Sequence, residues 1–270
     1  DFCALFDAKP EFTVCDRHPG YFSHRKDARQ VFHHHAHIAA VMAEHGLEGE
    51  VIGVAFDGAG YGEDGAVWGG EFLITDGAAV ERAGHLDYVK LIGGDAMSAD
   101  AQKTAACFKA HFGLATEGGI LQAALLNDVN TVRCASMGRL FDALAALLSV
   151  CERNRYEGEC AAAMQRAAMR ATRAIPMAFE IDSLQNISAG SIIKAALENS
   201  GDPGAFALGF HLAAADMVAR VCGRIRGRTG LSRVALGGGV FQNALLSKLC
   251  FEKLTASGFS VYFNEKVPRG

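Results

Sequence analysis

The chain has no excess of positive charge. Its 26 Lys and Arg stand against 30 Asp and Glu in 270 residues, a net charge of −4. That balance excludes a protein that wraps nucleic acid through a broad basic face. No C-x-x-C pair occurs among the eight cysteines, Cys3, Cys15, Cys107, Cys134, Cys151, Cys160, Cys222 and Cys250. Their scatter argues against a zinc knuckle or a disulfide framework and for reduced thiols in a cytoplasmic protein. No apolar run reaches the roughly 20 residues a membrane span needs; the stretch 206–222, for example, is interrupted by His211, Asp216 and Arg220. A basic-then-apolar signal peptide is absent, as is a 20–50-residue repeat. There is no G-x-S-x-G elbow, and no cysteine sits in a recognisable nucleophile motif, so a small buried hydrophobe is the default role for each.

What is present is an ordinary globular composition, 50% hydrophobic and 21% charged, enough for one large domain or two lobes. Residues 51–56 form a short β-branched run that ends at Asp57-Gly58, a buried strand followed by a tight turn. Residues 63–65 mark another turn, and 66–74 resume a strand, so the two strands pair antiparallel. Helical spacing covers 37–45, 101–112, 137–151, 205–228 and 240–256, with Gly46 and Gly230 as stops. Strands are expected at 233–236 and 259–263, while 153–199 mixes short helices and loops. Strand and helix alternate in both halves, which predicts an α/β protein with a mixed sheet. The start at Asp1 without methionine, and the stop at Gly270 just after a strand, read as a domain of something longer.

Three segments carry chemistry. In Phe32-His33-His34-His35-Ala36-His37 the H-x-x-x-H spacing puts His33 and His37 on one helix face, where both can reach one ion, with a third ligand from a distant segment. A helix start exposing histidines to water is the bland alternative. Asp57-Gly58-Ala59-Gly60-Tyr61-Gly62 follows a strand and reads equally as a phosphate loop or a hairpin that needs glycine. Gly237-Gly238-Gly239-Val240-Phe241-Gln242-Asn243 runs from strand to glycine turn to helix and can seat a phosphate at a helix start. It is neither a Rossmann fingerprint, since Gln242 stands where glycine is required, nor a Walker loop, and a structural turn fits it equally.

In their order along the chain these segments resemble the HypF-type hydrogenase maturation carbamoyltransferases. The likeness begins at Asp16-Arg17-His18-Pro19-Gly20-Tyr21 and runs through the histidine segment, Asp57-Gly58 and Trp68-Gly69-Gly70-Glu71-Phe72. It continues through Ser136-Met137-Gly138-Arg139-Leu140-Phe141-Asp142-Ala143, Tyr156-Glu157-Gly158 and the 237–243 segment. The resemblance implies a two-lobed, actin/hexokinase/heat-shock-ATPase-like α/β fold with mixed sheets and flanking helices. Residues 1–130 would form the lobe with the metal-binding histidines and the phosphate-side loop, and 131–270 the lobe with the nucleoside-binding segments. It implies a divalent metal, iron or zinc, on His33 and His37, and ATP or carbamoyladenylate beside Asp57, Gly58, Gly60, Asp142, Glu157, Gly158, Gly238, Gly239 and Asn243.

Asp57, with His34 or His35 as proton acceptor, would take part in catalysis. The carbamoyladenylate would come from a YrdC-like domain of the same parent chain, and the acceptor would be the C-terminal cysteine of a HypE-like partner. A third metal ligand, an aspartate, is expected just past Gly270. The sequence departs from the family pattern between residues 5 and 10 and around 96–103. Two alternatives stay open: an O-carbamoyltransferase acting on a small-molecule hydroxyl, and a non-catalytic metal- and nucleotide-binding module.

Overall fold

The computed structural model describes residues 2–267 apart from 8, 10, 23, 26 and 115–118. Parts of the 5–10 and 267–270 segments singled out in the sequence therefore lie outside the described residues. Helix α1 (Phe2–Leu5) and the parallel pair β1 (Val14–Asp16) and β2 (Arg29–Val31) precede α2 (His33–Glu44). Then come β3 (Val51–Tyr61), β4 (Val67–Thr75), β5 (Val80–Leu86), β6 (Val89–Ile92), α3 (Ala101–His111), α4 (Ile120–Leu126), β7 (Thr131–Ser136) and α5 (Met137–Leu147). The chain continues as α6 (Glu159–Arg170), β8 (Glu180–Ile181), β9 (Asn186–Ser188), α7 (Gly190–Glu198), α8 (Pro203–Thr229), β10 (Arg233–Gly237), α9 (Ala244–Ala256) and β11 (Ser260–Phe263).

One mixed sheet organises these elements. Its strand order is β11-β10-β3-β4-β5-β9-β8, with β7 beside β4 and β6 beside β7. β3, β4 and β5 form an antiparallel meander, whereas β10 joins β3 in parallel and β11 extends the sheet in parallel again. Strands from both sides of residue 130 thus share this sheet.

β3 is buried on both faces, and its period of two decides which face each side chain meets. Ile52, Val54 and Phe56 point into the large core with Phe141, Phe206, Phe210 and Phe241. Val51 and Ala55 point the other way, onto Ile38, Val41 and Met42 of α2. α2 covers that face because His34, Ile38, Val41 and Met42 recur at helical spacing and are all buried. The next position of the same parity on β3 is Asp57.

The structure alters three of the expected boundaries. α2 begins at His33 rather than at residue 37, so the whole histidine cluster lies in its first turns. β3 does not stop at Asp57-Gly58; it passes through a bulge between Phe56 and Gly60 and continues to Tyr61. The helix expected over 240–256 splits into a 3₁₀ turn (Gly239–Gln242) and α9, because Asn243 leaves the helical conformation and caps α9 by accepting from the Leu246 N–H. By length and composition α8 could span a membrane, yet most of it is buried, packed against α6 and α9.

Gly138 marks where α5 meets the sheet. A Cβ there would lie 2.7 Å from the Gly58 Cα, and backbone cannot swing away as a side-chain tip can. In an exposed helix interior Gly→Ala stabilises by about 1 kcal/mol. Here Gly138→Ala is expected to destabilise by about 1–3 kcal/mol through overpacking, read as a lower urea midpoint; an unchanged or raised midpoint would show that α5 does not press on Gly58.

Candidate active site

The His33 and His37 side chains stand one helical turn apart, and Asp57 reaches them from β3. Asp57 Oδ2 lies 3.0 Å from His37 Nε2 and 3.2 Å from His33 Nε2, and the two nitrogens are 3.2 Å apart. Burial opposes ionisation of Asp57, but hydrogen bonds from both histidines and from the Gly58 N–H prevail and hold the carboxyl well below the usual carboxylate range. His33 is raised above the ordinary imidazole value, chiefly by its hydrogen bond to Asp57 and against the effect of burial.

On its other side His33 Nδ1 lies 3.0 Å from Asp16 Oδ2. Asp16 is itself fixed, its Oδ1 accepting from the His18 N–H at 2.8 Å. A carboxylate on the far nitrogen directs Nε2 towards a metal, the usual support for a ligating histidine. Two imidazole nitrogens and one carboxylate oxygen suit zinc or iron. Ligands held about 2.0–2.1 Å from a tetrahedral ion sit about 3.3–3.4 Å from one another, and the three donors here are spaced 3.0–3.2 Å. The residues fit a metal, and they form such a group among the described residues. The third donor among the described residues is Asp57, which the family resemblance puts on the phosphate side; the aspartate expected just past Gly270 lies outside the described residues. The position of Asp57 on β3, on the same face as Ala55, was the available signal.

The other two histidines part from this cluster. His35 turns to Thr75 at the far end of β4, with Nε2 3.1 Å from the threonine Oγ1, and is not brought to Asp57. His34 sits on the buried face of α2 next to His33, where a Cβ on Gly60 would collide with its ring. Neither His34 nitrogen has a hydrogen-bond partner among the described residues, and burial lowers its titration to about 3. It stays neutral and is a poor proton acceptor at neutral pH.

The glycine segments and the start of α5 close on Asp57 from the opposite side. Gly238 has φ 97°, a value that favours glycine, and a Cβ on it would come within 2.4 Å of the Phe56 carbonyl oxygen. Gly239 lies against Asp57 Oδ1. Ser136 caps α5 by accepting from the Arg139 N–H, and its Oγ lies 2.8 Å from both the Asp57 and Gly58 carbonyl oxygens. One turn on, Asp142 is buried, with Oδ1 accepting from Asn154 Nδ2 at 2.8 Å and Arg139 Nη2 at 3.0 Å from Oδ2. Burial raises the Asp142 titration, offset in part by Arg139 and Asn154.

Asn243 is committed elsewhere. Besides capping α9, its Nδ2 donates to His211 Nε2 at 2.9 Å, and His211 Nδ1 donates to the Ala207 carbonyl at 2.7 Å. Glu157 is exposed, and Gly158 opens α6 with φ 75°. His33, His37, Asp57, Gly58, Gly60, Gly238, Gly239 and Asp142 are therefore brought together, whereas His35, Glu157 and Asn243 are not aimed at the same point. Sequence reasoning missed Asp16, Arg139, Asn154 and His211 as contributors, although Asp16 and Arg139 stood inside recognised motifs.

Comparison with known proteins gives the family and the fold. Residues 53–270 match the family model described as carbamoyltransferase, Kae1-like domain, second subdomain, and residues 1–44 match the HypF Kae1-like domain. Carbamoyltransferase HypF2 of Cupriavidus necator is 31% identical over 98% of this chain and 38% of its own length. A carbamoyltransferase HypF homolog of the same organism is 33% identical over 94% of this chain and 73% of its length. A crystal structure of full-length HypF in a phosphate- and nucleotide-bound form superposes with a TM-score of 0.88 at 33% identity, covering 99% of this chain and 38% of that one. T. kodakarensis HypF gives 0.83 at 31% identity, over 95% of this chain and 38% of that one. The chain belongs to the HypF carbamoyltransferase family, and it spans 38% of the length of the first of these relatives.

Zinc(II) titration followed by calorimetry is expected to show one site that His33→Ala, His37→Ala and Asp57→Asn each abolish. Asp16→Asn should weaken it by about 10–100-fold, the cost of losing the group behind a ligating histidine. Affinity should fall as pH drops through the raised titration of His33, since the ion must displace that proton. Binding that tolerates Asp57→Asn, or that strengthens in acid, would contradict the three-donor site.

Proposed function

We propose that this chain carries the transfer step of a HypF-type enzyme, passing a carbamoyl group from carbamoyladenylate to the C-terminal cysteine of a HypE-like partner for the cyanide ligand of [NiFe]-hydrogenase. Membership of a family whose curated relatives are named carbamoyltransferases supports the transfer itself. The observation that carries the finer assignment is that one residue pair, Asp57-Gly58, both completes the donor cluster and forms the surface on which Ser136, Gly138 and Arg139 at the start of α5 are seated, with Asp142 held by Arg139. A carbamoyladenylate would be supplied by a YrdC-like domain of a longer parent chain.

His33, His37 and Asp57 would hold the divalent ion, iron or zinc, which when bound supplies Lewis acidity at the phosphate and carbamoyl oxygens. Asp142 Oδ2 offers a buried acceptor for a ribose hydroxyl. Gly238 lets the turn after β10 close onto β3, where a side chain would strike the Phe56 carbonyl, and Gly238 and Gly239 would present their backbone to the nucleotide. In the transfer, the acceptor sulfur attacks the carbamoyl carbon, the C–S bond forms, and the bond from that carbon to the adenylate oxygen breaks. AMP leaves with the electron pair, and the thiol proton passes to solvent water. His34, neutral and next to His33, fills the floor of the site rather than receiving that proton.

ATP titrated into the protein is expected to bind in a metal-dependent manner, and Asp142→Ala should weaken binding about 10–100-fold, the range for a buried hydrogen bond to a charged group. ATP binding indifferent both to the metal and to Asp142→Ala would place the nucleotide elsewhere and defeat the assignment.

A further inference from the structure

Arg139 is 7% exposed and stands on the first turn of α5 between the two ends of the site. Its guanidinium lies against the Asp57-Gly58 segment: a Cβ on Gly58 would come 3.4 Å from Nη2. The same Nη2 is 3.0 Å from Asp142 Oδ2, close enough for an ion pair but off line for a hydrogen bond. The other two nitrogens, Nε and Nη1, are buried and have no hydrogen-bond partner among the described residues. Buried guanidinium donors are nearly always satisfied in a finished structure, so two idle ones in a well-packed site are donors kept for a ligand.

The surroundings define which part of a ligand they meet. On one side is the His33–His37–Asp57 cluster, and on the other are Asp142 and Asn154. In an acyl adenylate the phosphate lies between the reacting carbon and the ribose, and Arg139 occupies the corresponding interval between Asp57 and Asp142. A guanidinium is always charged and donates short, strong hydrogen bonds to phosphate oxygens. The amino end of α5 adds a weaker attraction of the same sign.

We infer that Arg139 is the residue that binds the nucleotide phosphate, through Nε and Nη1, and that it makes this site select a nucleotide over the bare nucleoside. This rests on the nucleotide site proposed above.

The test compares AMP with adenosine, each titrated calorimetrically into the metal-loaded protein and its Arg139→Gln and Arg139→Lys variants. Wild type should bind AMP about 10–100-fold tighter than adenosine. Arg139→Gln should lose most of that preference, keeping only what the metal contributes, while leaving adenosine affinity within about twofold of wild type. Arg139→Lys, which keeps the charge, gives the same comparison should the glutamine variant fail to fold, and should lose several-fold of the preference. Parallel loss of AMP and adenosine affinity in the variants, or no loss of either, would overturn the assignment and leave Arg139 a packing residue. Equal affinity of wild type for AMP and adenosine would overturn it while the nucleotide site stands, and binding of neither ligand would defeat both.

Discussion

A carboxylate pressed into a protein interior has to be met by groups that keep it charged, and in this chain that demand falls on Asp57. Two imidazoles from α2 meet its side chain, Gly239 lies against its carboxylate, and its main chain is enclosed by Gly69, Gly138 and the Ser136 cap of α5. The burial that would neutralise the carboxyl is overcome by those partners, so α2, β3, β10 and α5 are tied together at one residue. Replacing the ion pairs with apolar packing would keep the sheet but dissolve the junction.

That junction gives the glycines their reason. Gly238 stands where any side chain would strike the carbonyl of Phe56, and Gly138 stands where one would strike Gly58. Neither is there to free a loop, since both lie in well-packed backbone. They allow the turn after β10 and the start of α5 to approach a single strand end closely, beside the buried Arg139 nitrogens that have no partner among the described residues. The bulge in β3 serves the same purpose by carrying Gly60 under His33 and His34 while the strand continues to Tyr61.

Much of this was legible in the sequence, for identifiable reasons. Residues 51–56 and 233–236 announced buried strands because both faces of the sheet are covered and the runs are β-branched. The His33/His37 pair was visible because a helix repeats its face every four residues. The link from that pair to Asp57 was not, because it depends on the antiparallel passage of α2 over β3, a contact between elements that spacing along the chain does not record. His35 was over-read for a related reason: four neighbouring histidines look like one cluster, but a helix sends adjacent side chains about 100° apart, and His35 ends on Thr75. Asn243 was placed inside a helix because its neighbours are apolar, whereas its side chain caps the helix that follows. Residues 153–199 stayed obscure because their elements are short and draw their stability from packing on α5 and α8.

Everything in this account turns on one ion-sized gap bounded by His33 Nε2, His37 Nε2 and Asp57 Oδ2. The most direct measurement is anomalous diffraction from crystals soaked in zinc(II) or grown with iron(II). A single strong peak is expected about 2.0–2.2 Å from all three atoms, with Asp16 still on the far side of His33. A peak on other residues, or one bound by the histidines with Asp57 turned away, would contradict it.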